Sequence, residues 1–265
     1  MPKKILIIYT TAGTGHLTAA KALEEVLVKY HPDVDCLCVD ALEYTNILHK
    51  KVYVNSYISL VNHLPSLWGY FYKTSETASV TVKKILALLD KVNASSLFNL
   101  IAEFKPDHII STHFLSAELL HAQGMKIPNS VVITDYDAHN LWVYGNVSHY
   151  FVATDEVKDS VVSRGVKPDK ISVTGIPVRQ MFLEKIDKDL ARRRFKIDPV
   201  KKTILMMNGG FGVGRVEELV KTLFGLPFEF NLCVVAARNA TLKTRLEKLK
   251  APRGVNFQPL GYIKE

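Results

Sequence analysis

The residue best placed by type and setting to move a proton is His16. It closes the run Thr10-Thr11-Ala12-Gly13-Thr14-Gly15-His16, which follows the apolar stretch Lys4–Tyr9 and leads into a helix-period segment. Gly13 and Gly15 allow the backbone to turn sharply and leave room for a ligand. A helix start offers unpaired N–H groups and about half a positive charge, which suits an anion. An imidazole there adds a group that exchanges a proton near neutrality. The loop therefore points to chemistry on an anionic or hydroxyl-bearing ligand.

Two other stretches carry chemistry of the same kind. Thr134-Asp135-Tyr136-Asp137-Ala138-His139-Asn140-Leu141-Trp142 follows a predicted strand, and Asp135 and His139 can form an acid–base or orienting pair. The alternative is a loop whose Asp and His cap backbone groups. Asn208-Gly209-Gly210-Phe211-Gly212-Val213-Gly214 places four glycines before a helix, a candidate cradle for a pyrophosphate or a structural turn.

Several chemistries fit poorly. Gly13 and Gly15 match two positions of a dinucleotide fingerprint, and Asp40 ends the second strand as a ribose-binding acid would, but the third glycine position is Thr18. Neither glycine loop has the lysine of a P-loop, and no nucleophile elbow points to a serine hydrolase. His31, His49, His108 and His121 are scattered without ligand spacing, so no catalytic metal is expected.

These groups need elements to hold them, and the pattern is α/β. Predicted strands are Lys4–Tyr9, Asp35–Val39, His108–Ser111, Ser130–Thr134, Tyr150–Val152 and Lys170–Val173, alternating with helix-period segments, as in a parallel sheet. The first helix is expected to turn Ala20, Leu23, Leu27 and Tyr30 inward. Lys105-Pro106-Asp107 should end a helix before the third strand. The expected domains are 1–180, a basic linker or crossover at 181–200, and a second unit at 201–265 with strands Thr203–Met207, Phe230–Ala236 and Val255–Gln258. With three strands that second unit looks unfinished.

The chain has 265 residues, 48% hydrophobic and 23% charged, an ordinary globular composition. The net charge is +8, with eight Lys or Arg against four acids between Glu184 and Lys202. That stretch suits phosphates or an anionic membrane surface as well as a solvated helix face. No zinc spacing, RNA-binding sheet motif or basic tail points to nucleic acid. Three cysteines are too few for a disulfide framework and fit a cytosolic setting. No run of about 18 apolar residues could span a bilayer. The stretch Val52–Tyr72 interleaves Tyr53, Tyr57, Trp68, Tyr70, Phe71 and Tyr72 with polar residues, and reads as helix core, a lipid interface or an acceptor groove.

Taken in order, the pieces resemble the diacylglycerol glycosyltransferases, that is, monogalactosyldiacylglycerol synthases and processive diacylglycerol glucosyltransferases, relatives of the peptidoglycan enzyme that glycosylates lipid I. The likeness rests on the loop ending in His16, Val39-Asp40-Ala41-Leu42-Glu43-Tyr44, Leu67-Trp68-Gly69-Tyr70, Thr134-Asp135 with His139 and Trp142, Phe151–Val157, Val173–Val178 and Asn208–Gly214 with Glu217-Glu218-Leu219. It implies a GT-B architecture of two Rossmann-like domains, the second incomplete here. It also implies an inverting, metal-independent transfer of a hexose from a UDP-sugar to diacylglycerol at the inner face of the cell membrane. His16 would be the base, with Asp135 and His139 as supports or alternatives. Gly209, Gly210, Phe211, Gly212, Gly214, Arg238, Asn239, Tyr262 and Ile263 would meet the UDP-sugar. Gly13, Gly15, Trp68, Tyr136 and Trp142 would meet the acceptor. Relatives continue beyond the point matching Glu265, so this chain is expected to transfer sugar poorly, or to be a binding remnant.

Overall fold

A computed structural model of the chain describes residues 2–11, 13–45, 94–209 and 214–263. The aromatic stretch Val52–Tyr72, with Trp68, and the loop residues Gly210, Phe211 and Gly212 lie outside these. The chain divides into two compact units, Met1–Leu183 and Glu184–Glu265.

The first unit is built on a six-stranded parallel sheet. Its strands are β1 (Lys3–Tyr9), β2 (Val34–Asp40), β3 (His108–Ser111), β4 (Asn129–Val132), β5 (His149–Val152) and β6 (Ile171–Val173), in spatial order β2-β1-β3-β4-β5-β6. The described helices are α1 (Thr14–Tyr30), α2 (Ser95–Phe104), α3 (Phe114–Ala122) and α4 (Asp155–Ser163). Leu6, Ile7 and Ile8 are fully buried, as expected of a central parallel strand covered on both faces.

Two sequence expectations change in detail. Tyr30 is largely exposed, with the Lys29 ammonium 5.0 Å above its ring. Ala20 is buried as expected, and Ala19 and Ala22 join it on the inward face of α1, their small side chains letting the helix lie close to the sheet. The fourth strand ends at Val132 rather than Thr134, although Ile133 N–H still donates to Phe151 O at 2.9 Å. The helix end at Pro106 is as read: Lys105 takes a left-handed conformation (φ 53°) and closes the last turn of α2. Cys36 and Cys38 on β2 are half-buried, and burial pushes their thiols up to about 11 and about 12.

The second unit has the parallel strands β7 (Lys202–Met207), β8 (Phe230–Val235) and β9 (Val255–Leu260) in spatial order β7-β8-β9. Its helices are α5 (Lys188–Arg194), α6 (Val216–Phe224) and α7 (Ala240–Glu247). β8 is central and buried over nearly its whole length, and its Phe230, Leu232 and Val234 pack with Val220, Leu242 and Leu246. β9 runs past Gln258 through Pro259, which the outermost of the described strands tolerates because proline has no N–H to donate. The basic stretch foreseen as a linker forms α5, capped by the Asp187 carboxylate, which accepts from Asp189 and Leu190 N–H. No described helix is long and apolar enough to cross a membrane.

Candidate functional site

In the first unit β1 lies between β2 and β3, so the chains leaving β1 and β3 diverge at their carboxyl ends. Ligands of open parallel sheets bind at such a switch in strand order. The loop after β1 delivers His16 there, the residues after β3 supply Thr112 and His113, and the residues after β4 supply Thr134 to Trp142.

His16 is held tightly. Its Nδ1 lies 3.0 Å from the Thr112 carbonyl oxygen and 2.7 Å from Thr134 Oγ1. A carbonyl can only accept, so the hydrogen-bond pattern assigns the ring hydrogen to Nδ1 and leaves the lone pair on Nε2. Thr112 also donates its hydroxyl to the His16 carbonyl at 2.9 Å, and its N–H bonds Ile8 O at 3.0 Å. The Nε2 edge faces the glycine loop: a side-chain carbon added at Gly13 would lie 3.7 Å from Cδ2 and 4.0 Å from Nε2. Burial lowers the His16 pKa from its ordinary value, against the opposing pull of the Asp135 charge and the Thr112 carbonyl. The ring is thus neutral at physiological pH, the state a general base requires.

The rings around it form a packed cluster. His113 meets His16 edge-on with centroids 4.4 Å apart, and Phe114, His139 and Trp142 complete the group. His113 is fully buried; its Nδ1 accepts from Leu115 N–H at 3.0 Å and caps α3, while burial drives its pKa well below the usual value.

Two sequence assignments need correction. His139 is 4% exposed and its Nδ1 accepts from Leu141 N–H, so it serves as a cap rather than as the base. Trp142, expected against the acceptor, is 0% exposed and donates its indole N–H to Asp135 Oδ2 at 3.0 Å. It packs the wall behind the site. The Asp40 carboxylate agrees with setting the dinucleotide reading aside: it accepts from Thr11 N–H, the Thr11 hydroxyl and Leu42 N–H, tying the glycine loop to β2. Tyr136 is widely exposed, as an acceptor contact would need. Thr112, His113 and Thr134 had been given no role, because their use depends on which strands are neighbours.

In the second unit the described residues assigned to the sugar nucleotide lie beyond the carboxyl ends of β7, β8 and β9. Gly209 and Gly214 adopt φ of 61° and 101°, in the left-handed region open to glycine. Val216 N–H bonds Gly214 O where α6 begins. The acids Glu217 and Glu218 in the first turn of α6 would repel a phosphate, but each is met by an arginine, Arg245 at 2.5 Å and Arg215 at 3.5 Å. Arg238 is exposed after β8, its guanidinium 5.2 Å from the Tyr262 ring. Asn239 spends its side-chain oxygen on capping α7, accepting from Leu242 N–H at 2.8 Å, so its amide nitrogen is the atom with the polarity to meet a phosphate. Tyr262 and Ile263 are exposed.

Comparison with known proteins agrees with this architecture. The monogalactosyldiacylglycerol (MGDG) synthase family matches residues 16–178, beginning at the histidine itself. The processive diacylglycerol beta-glucosyltransferase of Bacillus subtilis (strain 168) is 30% identical over 270 residues, covering 99% of this chain and 68% of the relative. This chain belongs to the monogalactosyldiacylglycerol synthase family. The equally named protein of Bacillus licheniformis is likewise 30% identical, over 269 residues, with 99% of this chain and 68% of the relative covered. The fold is that of the GT-B glycosyltransferases. The crystal structure of Acinetobacter baumannii MurG superposes with a TM-score of 0.53 at 14% identity, over 100% of this chain and 68% of that one.

Proposed function

We propose that the protein transfers a hexose from a UDP-sugar to diacylglycerol or a closely related lipid alcohol. The observation that carries this reading is the state of His16: a neutral imidazole, its hydrogen fixed on Nδ1 and its Nε2 turned toward a glycine loop at the strand-order switch. That is the form of a base waiting for a hydroxyl proton. Family membership and relatives named as diacylglycerol glucosyltransferases favour transfer over a merely binding role.

In the proposed step the lipid hydroxyl gives its proton to His16 Nε2 as its oxygen bonds the anomeric carbon. The bond from that carbon to the diphosphate breaks on the opposite face, so configuration inverts and UDP leaves. Arg238 and the start of α6 offset the charge that builds on the leaving group, a role that otherwise falls to a metal. Asp135, in turn, stabilises the transient imidazolium through space. The basic stretch Glu184–Lys202 and the aromatic stretch Val52–Tyr72 suit a peripheral position on an anionic membrane surface, on its cytoplasmic side.

The test is transfer itself. The purified chain is supplied with UDP-glucose or UDP-galactose and diacylglycerol in anionic vesicles. The expected result is a glycosyl-diacylglycerol and one UDP per sugar. His16→Asn should lower turnover by roughly 10²- to 10⁴-fold while UDP binding is retained. Undiminished turnover in that variant would remove His16 from the mechanism.

A further inference from the structure

The Nδ1 edge of His16 is held from two sides, and the contact from Thr134 has no counterpart in the sequence reading. Thr134 leaves the line of β4, and its Oγ1 stands 2.7 Å from the same nitrogen that faces the Thr112 carbonyl at 3.0 Å. The next residue, Asp135, turns its carboxylate to the Trp142 indole N–H instead. Among the described residues, the groups bonded to Nδ1 are therefore two neutral oxygens, and the carboxylate acts only at a distance.

Resting on the reading of His16 as base, we propose that Thr134 is its positioning residue. The hydroxyl oxygen shares the Nδ1 hydrogen with the Thr112 carbonyl and keeps Nε2 unprotonated and aimed at the glycine loop. Two acceptors on one hydrogen fix both the tautomer and the ring plane, and the main-chain carbonyl by itself leaves the ring free to tilt. Neutral acceptors orient the ring without the strong rise in basicity that a contacting carboxylate would bring. Thr134 thus sets how readily His16 takes a proton and how readily it gives it up.

The experiment reads the ring directly. The full chain is labelled with ¹⁵N-histidine, and the His16 ring nitrogens, assigned by their loss in His16→Asn, are followed against pH by NMR. Wild type should show hydrogen on Nδ1. Thr134→Val should keep the hydrogen on Nδ1, which the Thr112 carbonyl still accepts, but leave the ring free to tilt, broadening its signals, and give a lower titration midpoint, because the charged ring loses an acceptor. Thr134→Ser should restore both, and Thr134→Ala should match the valine variant if that one folds poorly. In the transfer assay kcat should fall about tenfold in Thr134→Val, with KM for the donor within about twofold and the acidic limb of the pH profile moved the same way as the midpoint. Unchanged line widths and midpoint in Thr134→Val, or no recovery with serine, overturns the proposal. The spectra need no substrate, so they decide Thr134 separately from the base reading, which undiminished turnover in His16→Asn would sink.

Discussion

At the scale of single residues, the site is governed by what burial does to imidazoles. His16 and His113 both sit where the charged ring is penalised, so their folded pKa values lie below the ordinary 6.5. The unfolded chain therefore binds protons more readily than the folded one. Stability from these groups is complete above about 6.5 and is lost as pH falls through that value toward the folded ones. The melting temperature should fall between pH 7 and pH 5. His113→Asn, which keeps a side-chain cap for α3, should flatten that decline. An identical slope in the variant would show that other groups control acid sensitivity. The roles of individual residues were partly legible: His16 beside two glycines announces itself, whereas Asp40 could close a strand equally as a ligand or as a structural tie. Its three bonds to Thr11 and Leu42 decide for the tie, and only coordinates could show them.

At the scale of elements, the second unit depends on a buried polar knot. Asn231 on β8 is 0% exposed; its amide donates to the carbonyls of Asp198 and Lys201 and to the Thr203 hydroxyl, and its oxygen accepts from Asp198 N–H and from the Asn256 amide. Asn256 and Gln258 in turn donate to Lys196 O. These bonds fasten the segment after α5 onto the sheet. Asn231→Leu would leave several of those groups buried without partners and should cost about 2 kcal/mol or more, measured by denaturant unfolding. A loss within 0.5 kcal/mol would mean that water replaces the asparagine. Strand positions were largely readable from apolar runs, and the helix end at Pro106 from proline chemistry. Strand ends were less so, because a run such as Ser130–Thr134 does not show where its pairing stops. That uncertainty hid Thr134, whose usefulness begins where the ladder ends.

At the scale of the whole molecule, two Rossmann-like units in the order and spacing of a GT-B chain raise the choice between a sugar nucleotide and a dinucleotide. Asp40 is already engaged, and the first loop carries a histidine where a dinucleotide fingerprint has none. UDP should therefore raise the melting temperature, by an amount that grows with the logarithm of its concentration above Kd, and NAD should not. A shift with NAD and none with UDP would return the protein to the oxidoreductases. Trp142 belongs to this scale too: in sequence it sits in a polar loop beside the exposed Tyr136, and only the packing of Phe114, His139 and Val147 around it makes it core.

The amino-acid sequence by itself determined the α/β class, the strand, glycine loop and helix that open each unit, the family and the candidate proton-moving histidine. All of these follow from local periodicity, backbone conformational demands and the order of motifs along one chain. Tertiary structure alone decided that β3 lies beside β1, that a carbonyl and a hydroxyl from two later loops fix the histidine's tautomer, and that Trp142, His139 and Asp40 serve the framework. Those facts depend on which strands are neighbours, and strand order arises from burial and pairing between segments about a hundred residues apart, as His16 and Thr112 are.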